Sequence, residues 1–199
     1  LILTRGEEMP SALHAIFGGG AVASFNVEPE LPDGLNFTNG TIFGTPTVNS
    51  SLVQYNITAI NNGGSDYFLL NITILEPVAI LDVETNYFEL TRSETEMNLT
   101  LNNTGGMVAT WEVYPELPDG LILGNGTITG VPNVNSSLAT YEIFANNTGG
   151  SASILINIKI LEPAANISYT TTQFTLTNGQ DIFKVCLLYT SPSPRDSGK

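Results

Sequence analysis

The chain has 199 residues, with 19 acidic against 6 basic side chains and a formal net charge of −13. So acidic a balance argues against binding nucleic acid, or an anionic membrane surface through a basic patch, because Lys and Arg dominate both kinds of contact. Hydrophobic residues make up 42% of the chain, enough for one or two ordinary domains at this length. No run of about 18 uncharged apolar residues offers a membrane span.

In chain order, LTR at Leu3–Arg5 comes first, followed by the lone histidine, His14. Phe25, preceded by Ala23, falls in the middle of the next strand-like run. PELPDG at Pro29–Gly34 reads as a turn, because Pro presets φ and Asp-Gly favours a tight reversal. GTI at Gly40–Ile42 and VNSSL at Val48–Leu52 lead to Tyr55, Ile57 and Ala59, an inward set at period two. After GGS at Gly63–Ser65, Phe68, Leu70, Ile72 and Ile74 form another inward set, with Asn71 and Thr73 outward. FELT at Phe88–Thr91 then opens a second series. Met97, Leu99 and Leu101 alternate with Asn98 and Thr100, and Trp111, preceded by Ala109, takes the place of Phe25. PELPDG returns at Pro115–Gly120, GTI at Gly126–Ile128, VNSSL at Val134–Leu138 and GGS at Gly149–Ser151. Tyr141, Ile143 and Ala145 are inward. So are Ile154, Ile156, Ile158 and Ile160, with Asn157 and Lys159 on the opposite face.

The two series are one repeat at an offset of 86 residues, with 32 of the 49 positions from Pro29 to Pro77 identical to those from Pro115 to Pro163. FTLT at Phe174–Thr177 begins a third copy, and LTR at Leu3–Arg5 matches Leu90–Arg92 with a one-residue slip. The expectation is a piece of a longer array: residues 1–77 a unit truncated at its N-terminus, 78–163 a complete unit, and 164–185 the start of a third. Residues 186–199 form a tail. Within it, CLLYTSPSPRD at Cys186–Asp196 resembles a translated sequencing-library adapter, which removes the only cysteine from fold reasoning. Strands separated by turn formers, without a sustained 3.6-residue apolar period, predict an all-β fold of tandem β-sandwich repeats. With Glu162-Pro163 leading almost directly into the next unit, each unit adds on the order of 35–45 Å to an extended rod.

Three blocks recur in each unit: LPDGL, a GTI-containing block ending in Pro, and a block beginning at Tyr and ending in GGS. They lie at Leu31–Leu35, Gly40–Pro46 and Tyr55–Ser65, and again at Leu117–Leu121, Gly126–Pro132 and Tyr141–Ser151. This pattern resembles the immunoglobulin-like repeat family of bacterial and archaeal surface proteins, which is similar to the dystroglycan-type cadherin-like domain. The resemblance implies Ig-like sandwiches in long extracellular proteins, acting as stalks or adhesion modules, and it implies no catalytic residues.

The residues themselves offer little chemistry. His14 falls at the position of Thr100 on an outer face, and one His supports neither a transition-metal site nor a nucleophile–base pair. Glu30 and Asp33 recur as Glu116 and Asp119, as scaffold features do rather than a single catalytic pair. Asp33 and Asp119 read as turn residues bonded to local backbone. No glycine-rich phosphate loop opens a helix. The expectation is a chain that is not an enzyme and has no cofactor.

Calcium is the alternative to no cofactor, since cadherin-like arrays gather carboxylates between units. The candidates are Glu76, Asp82 and Glu84. The following junction keeps Glu162 but has Ser168 and Thr170 in place of the other two.

Trp111 and Phe25 read as core anchors, with a ligand-stacking platform as the alternative. Eleven Asn-X-Ser/Thr sequons occur, against roughly four by chance. Alternation alone pairs Asn with Thr on an outer face. The functional reading makes Asn56, Asn71 and Asn98 glycosylation candidates.

These residues point to a non-catalytic tandem Ig-like stalk, spacer or adhesion region at a cell surface or in the extracellular space. Its partners are the neighbouring repeats, and surface glycans or proteins. The alternatives are calcium-binding cadherin-like adhesion, or a carbohydrate- or protein-binding module built on Tyr67, Tyr87, Tyr114 and Tyr169.

Overall fold

The computed structural model describes residues 1–16, 18–168 and 178, and among these the chain is all-β, without a helix. The third-copy strand at Phe174–Thr177, Tyr169 and the adapter-like tail lie outside the described residues.

Seven strands build the first unit: β1 (Ile2–Thr4), β2 (Leu13–His14), β3 (Ser24–Glu28), β4 (Leu35–Thr38), β5 (Thr41–Gly44), β6 (Ser50–Asn61) and β7 (Gly64–Leu75). They form a four-stranded sheet in the order β1-β7-β6-β3 and a three-stranded sheet in the order β2-β5-β4. The second unit follows with β8 (Leu81–Asp82), β9 (Tyr87–Thr91), β10 (Met97–Thr100), β11 (Asn102–Asn103), β12 (Thr110–Tyr114), β13 (Leu121–Gly124), β14 (Thr127–Gly130), β15 (Ser136–Asn147) and β16 (Gly150–Leu161). Its sheets, β9-β16-β15-β12 and β10-β14-β13, repeat the arrangement of the first unit, and β8 pairs with β11 in addition.

Period-two alternation explains the cores. Ile72 and Ile74 on β7 face inward with Ile42 on β5, and Ile143, Ile156, Ile158 and Ile160 do the same in the second unit against Ile128. Burying each such side chain contributes roughly 1.5–3 kcal/mol. The first strand of each unit runs parallel to the last, pairing Leu3 with Ile74 and Leu90 with Ile160. The spacing there is 87 residues. It returns to 86 by the next strand, where Leu13 faces Ile42 and Leu99 faces Ile128. The slip seen in the LTR motifs is therefore one extra residue in the first unit, between its first and second strands.

The Pro-Asp-Gly turns act through backbone. Thr47 and Asn133 donate their amides to the carbonyls of Asp33 and Asp119 at 2.9 and 2.8 Å. Gly34 and Gly120 press against the backbones of Thr45 and Val131, where any β-carbon would overlap. Trp111 is half-buried and packs on the second core. Its ring also covers the β13–β14 turn, so a β-carbon at Gly126 (φ +76°) would stand 2.8 Å from it. Phe25 makes an edge-on contact with Phe37 at 6.0 Å.

Phe68 departs from the expected inward phase. It is 65% exposed, whereas its counterpart Ile154 packs against the second core. Phe68 instead lines an open cavity at the leading end of the first unit.

Candidate functional site

The site with the densest set of specific contacts is the junction between the two units. It begins where β7 ends, at Leu75-Glu76-Pro77. β1 delivers Arg5 beside Glu76, because the parallel β1–β7 ladder continues through the Arg5 amide to the Leu75 carbonyl at 2.8 Å. The guanidinium then binds the carboxylate through both oxygens, with Nε to Oε1 at 3.0 Å and Nη2 to Oε2 at 2.8 Å. Two parallel charge-assisted bonds fix direction as well as distance.

The second unit closes over this pair. The Glu76 amide donates to Thr148 Oγ1 at 2.9 Å, and Asn147 Nδ2 donates to the Pro77 carbonyl at 2.7 Å. Gly106 donates its amide to the Val78 carbonyl at 3.2 Å, Thr104 donates to the Ile80 carbonyl at 3.0 Å, and the Ile80 amide donates to Asn103 Oδ1 at 3.0 Å. Within this strap from Glu76 to Ile80, Ala79 is buried. Gly106 and Gly149 lie so close to the carbonyls of Pro77 and Glu76 that a β-carbon at either would overlap them. Asn147 prepares the seat itself, accepting the Gly149 amide on Oδ1 at 2.9 Å while its Nδ2 faces the linker.

Electrostatics reinforce the geometry. The Arg5 guanidinium holds the Glu76 carboxyl below the usual glutamate range. It does so against the opposing effect of burial and with help from the Met107 amide. Arg5 is correspondingly raised by its bonds to Glu76.

The structure places the calcium candidates apart in role. Glu76 is engaged by Arg5, and Asp82 lies on β8 paired with Asn102. Glu84 is exposed in the loop beyond. Among the described residues, no group of three or more His, Cys, Asp or Glu side chains is gathered to hold a metal ion.

Asn71 and Asn98 are exposed, and Asn71 accepts a bond from Gln54 Nε2 at 3.2 Å. Asn56 is half-buried, with its Oδ1 shielded and without a bond, so it is less outward than its phase implies. Tyr67, Tyr87 and Tyr114 are exposed. Tyr87 and Tyr114 stand on opposite edges of the second unit's larger sheet and Tyr67 on the other unit, so the three do not form a cluster. His14 stays on the outer face, 3.1 Å from Thr41 Oγ1.

Residue-by-residue reading missed Arg5, Asn147, Thr148 and the seating glycines. The signal was present: both units carry an Arg after Leu-Thr and a Leu-Glu-Pro at the far end, and these ends meet only once β1 lies beside β7.

The fold is that of tandem immunoglobulin-like domains. The family model described as "Putative Ig domain" matches residues 7–74, within the first unit, and the 86-residue repeat carries the same sequence pattern into the second. Among solved structures, the four N-terminal Ig domains of Dscam1 isoform 9.44 align with a TM-score of 0.50 and 16% identity, covering 80% of this chain and 42% of that one. Eight N-terminal Ig domains of the Down Syndrome Cell Adhesion Molecule align at 0.48 and 17%, covering 86% and 26%. The insect immune protein hemolin aligns at 0.43 and 13%, covering 82% and 44%. The chain thus spans less than half the length of each of these three. No curated protein matches it. Among the described residues, no helix is long and apolar enough to cross a membrane.

Proposed function

We propose that this chain is a non-catalytic stretch of a tandem Ig-like stalk, serving as a spacer in a large secreted or surface-anchored protein. The observation that carries this reading is the clamped junction. Glu76 and Pro77 are each held by a hydrogen bond to the second unit, and Val78 and Ile80, which open that unit, are held by bonds to the rest of it, leaving little slack between sandwiches. A rod of such units transmits orientation from one domain to the next, which a spacer needs and a flexible tether lacks. The acidic, lysine-poor surface suits an exposed rod, since like-charged copies repel at low salt. Exposed Asn71 and Asn98 offer glycan attachment on the wet faces.

The test is a distance distribution between spin labels at exposed Ser51 and Glu116, each changed to Cys in the full chain with Cys186 replaced by Ser. A single narrow distance, unchanged by salt, supports the spacer. A broad distribution like that of a flexible linker overturns it.

A further inference from the structure

The outer face of the second unit's larger sheet differs in kind from that of the first. Along β12, Trp111 and Val113 pack on the core, which turns Glu112 and Tyr114 outward. On β15 the buried Ile143 and Ala145 leave Glu142 and Phe144 on that same face. On β16, inward Ile154 and Ile156 do so for Ser153 and Leu155.

The register sets these side chains beside one another. Tyr114 stands across from Glu142, and Glu142 across from Leu155. In the next row Glu112 faces Phe144, and Phe144 faces Ser153. Rings and carboxylates thus alternate as a checkerboard, with Phe144 diagonal to Tyr114 and Leu155, and Glu142 diagonal to Glu112. Such neighbours lie about 5 Å apart across strands and about 7–8 Å apart diagonally. Tyr114 is 75% exposed and Leu155 52%. Ser153 donates its hydroxyl to Glu142 Oε1 at 2.7 Å, and neither Glu112 nor Glu142 meets a cation among the described residues. Lys159, the one Lys or Arg on these four strands, is taken by Glu89 at 2.9 Å.

Neighbouring units do not reach this face. The second unit has the first in place before it, and the face is exposed all the same. At the 86-residue offset Tyr114 and Leu155 correspond to Glu28 and Leu69, which stay exposed although the second unit follows them. Glu112, Glu142 and Phe144 correspond to Asn26, Asn56 and Thr58. Two amides and a hydroxyl in one unit are therefore two acids and a ring in the other, on the same strands. The fold accepts both sets, so packing does not demand the second. Exposed apolar side chains gathered with unpaired charge are the mark of a partner surface.

We propose that this checkerboard docks a basic segment of another protein, with an Arg or Lys side chain set between Glu112 and Glu142 and an apolar neighbour on Leu155. The cation meets two carboxylates and the rings of Tyr114 and Phe144, so charge attraction and cation–π contact act on one group. A second copy of this chain is a poor occupant, because it carries the same net charge of −13.

The test is an amide-shift titration of the isotope-labelled full chain with the blocked peptide Arg-Leu-Arg-Leu-Arg, in about 0.15 M salt. Two variants borrow the first unit's own residues: Glu112→Asn with Glu142→Asn, and Phe144→Thr. Thermal melts check that both fold. Tyr114→Ser repeats the test of the rings at a position too exposed to affect folding. The expected result is saturable shifts centred on β12, β15 and β16. Affinity should fall about tenfold with the paired acid change and about fivefold with either ring variant. No saturable shift at millimolar peptide overturns the proposal. So do shifts spread over both units, or an affinity that falls with the acids but ignores both rings, since either is general attraction to an acidic chain. Cellohexaose shifting these residues where the peptide does not overturns it too, and gives the face to a sugar.

Discussion

The two units share most of their residues, yet their leading ends differ. In the second unit Ala145 is 0% exposed and Leu101 is buried, while their counterparts Ala59 and Ala15 are half-buried and exposed. Ile143 is buried where Ile57 is only partly so. The difference follows from the neighbour: the strap from Glu76 to Ile80 lies over the end of the second unit, and among the described residues no counterpart lies over the first. Burial at a repeat's end is thus set by what precedes it, as expected when stability is shared between units and their interfaces.

Truncating the cores should test this contrast with the largest effect. Ile143→Ala is expected to cost about 3–5 kcal/mol, as a fully enclosed cavity does, and Ile57→Ala about half as much, in urea unfolding of the full chain. Should the two substitutions cost the same, the strap contributes nothing to the second core.

Gly149→Val comes next. Its side chain collides with the Glu76 carbonyl, so the second unit should lose about 2 kcal/mol, while Gly63→Val, whose β-carbon would meet a side-chain atom of Asn61 at 3.3 Å and no backbone, should lose less.

Replacing the acids probes the ion pairs. Glu76→Gln should cost about 1–3 kcal/mol, because a shielded charge-assisted pair is lost. Glu162→Gln should cost less than about 1 kcal/mol, as exposed pairs do.

The same pair predicts a pH dependence. Arg5 lowers the folded pKa of Glu76, so the stabilisation is fully present above the ordinary glutamate value of 4.5 and is lost as pH falls through the lower folded value. Lys159 and Tyr87 act on Glu89 in the same direction. Urea midpoints measured from pH 6 to pH 3 should fall more steeply for wild type than for Glu76→Gln.

The smallest expected effect is that of calcium. A site at a hundred times its dissociation constant adds about 2.7 kcal/mol. With Glu76 committed to Arg5 and the acids not gathered, melts in millimolar calcium and in chelator should superimpose. A clear upward shift would instead assign a cation to this junction.

Strands and most core positions were legible because alternation is local. Ile156, Ile158 and Ile160 share a face whatever packs against it, and Pro-Asp-Gly turns at Pro118–Gly120 whatever follows. Arg5 was not legible as a partner of Glu76, because 71 residues separate them and only a parallel pairing of first and last strands brings them together. Gly149-Gly150 read as a turn former. Gly106 and Gly149 have a second duty, close approach of another unit's backbone, which depends on an atom the local pattern does not contain. Phe68 shows the converse, since its phase is correct for a strand but its ring is exposed and lines an open cavity.

Period, turn chemistry and repeat spacing by themselves determined the all-β architecture, the inward phase of most core strands and the family likeness, because each depends on contacts within a few residues or on identity at a fixed offset. Tertiary structure alone decided which Leu-Glu-Pro end is buried and which is open. Glu76 and Glu162 sit in nearly the same words of sequence, and only the presence of a second sandwich over one of them removes it from water.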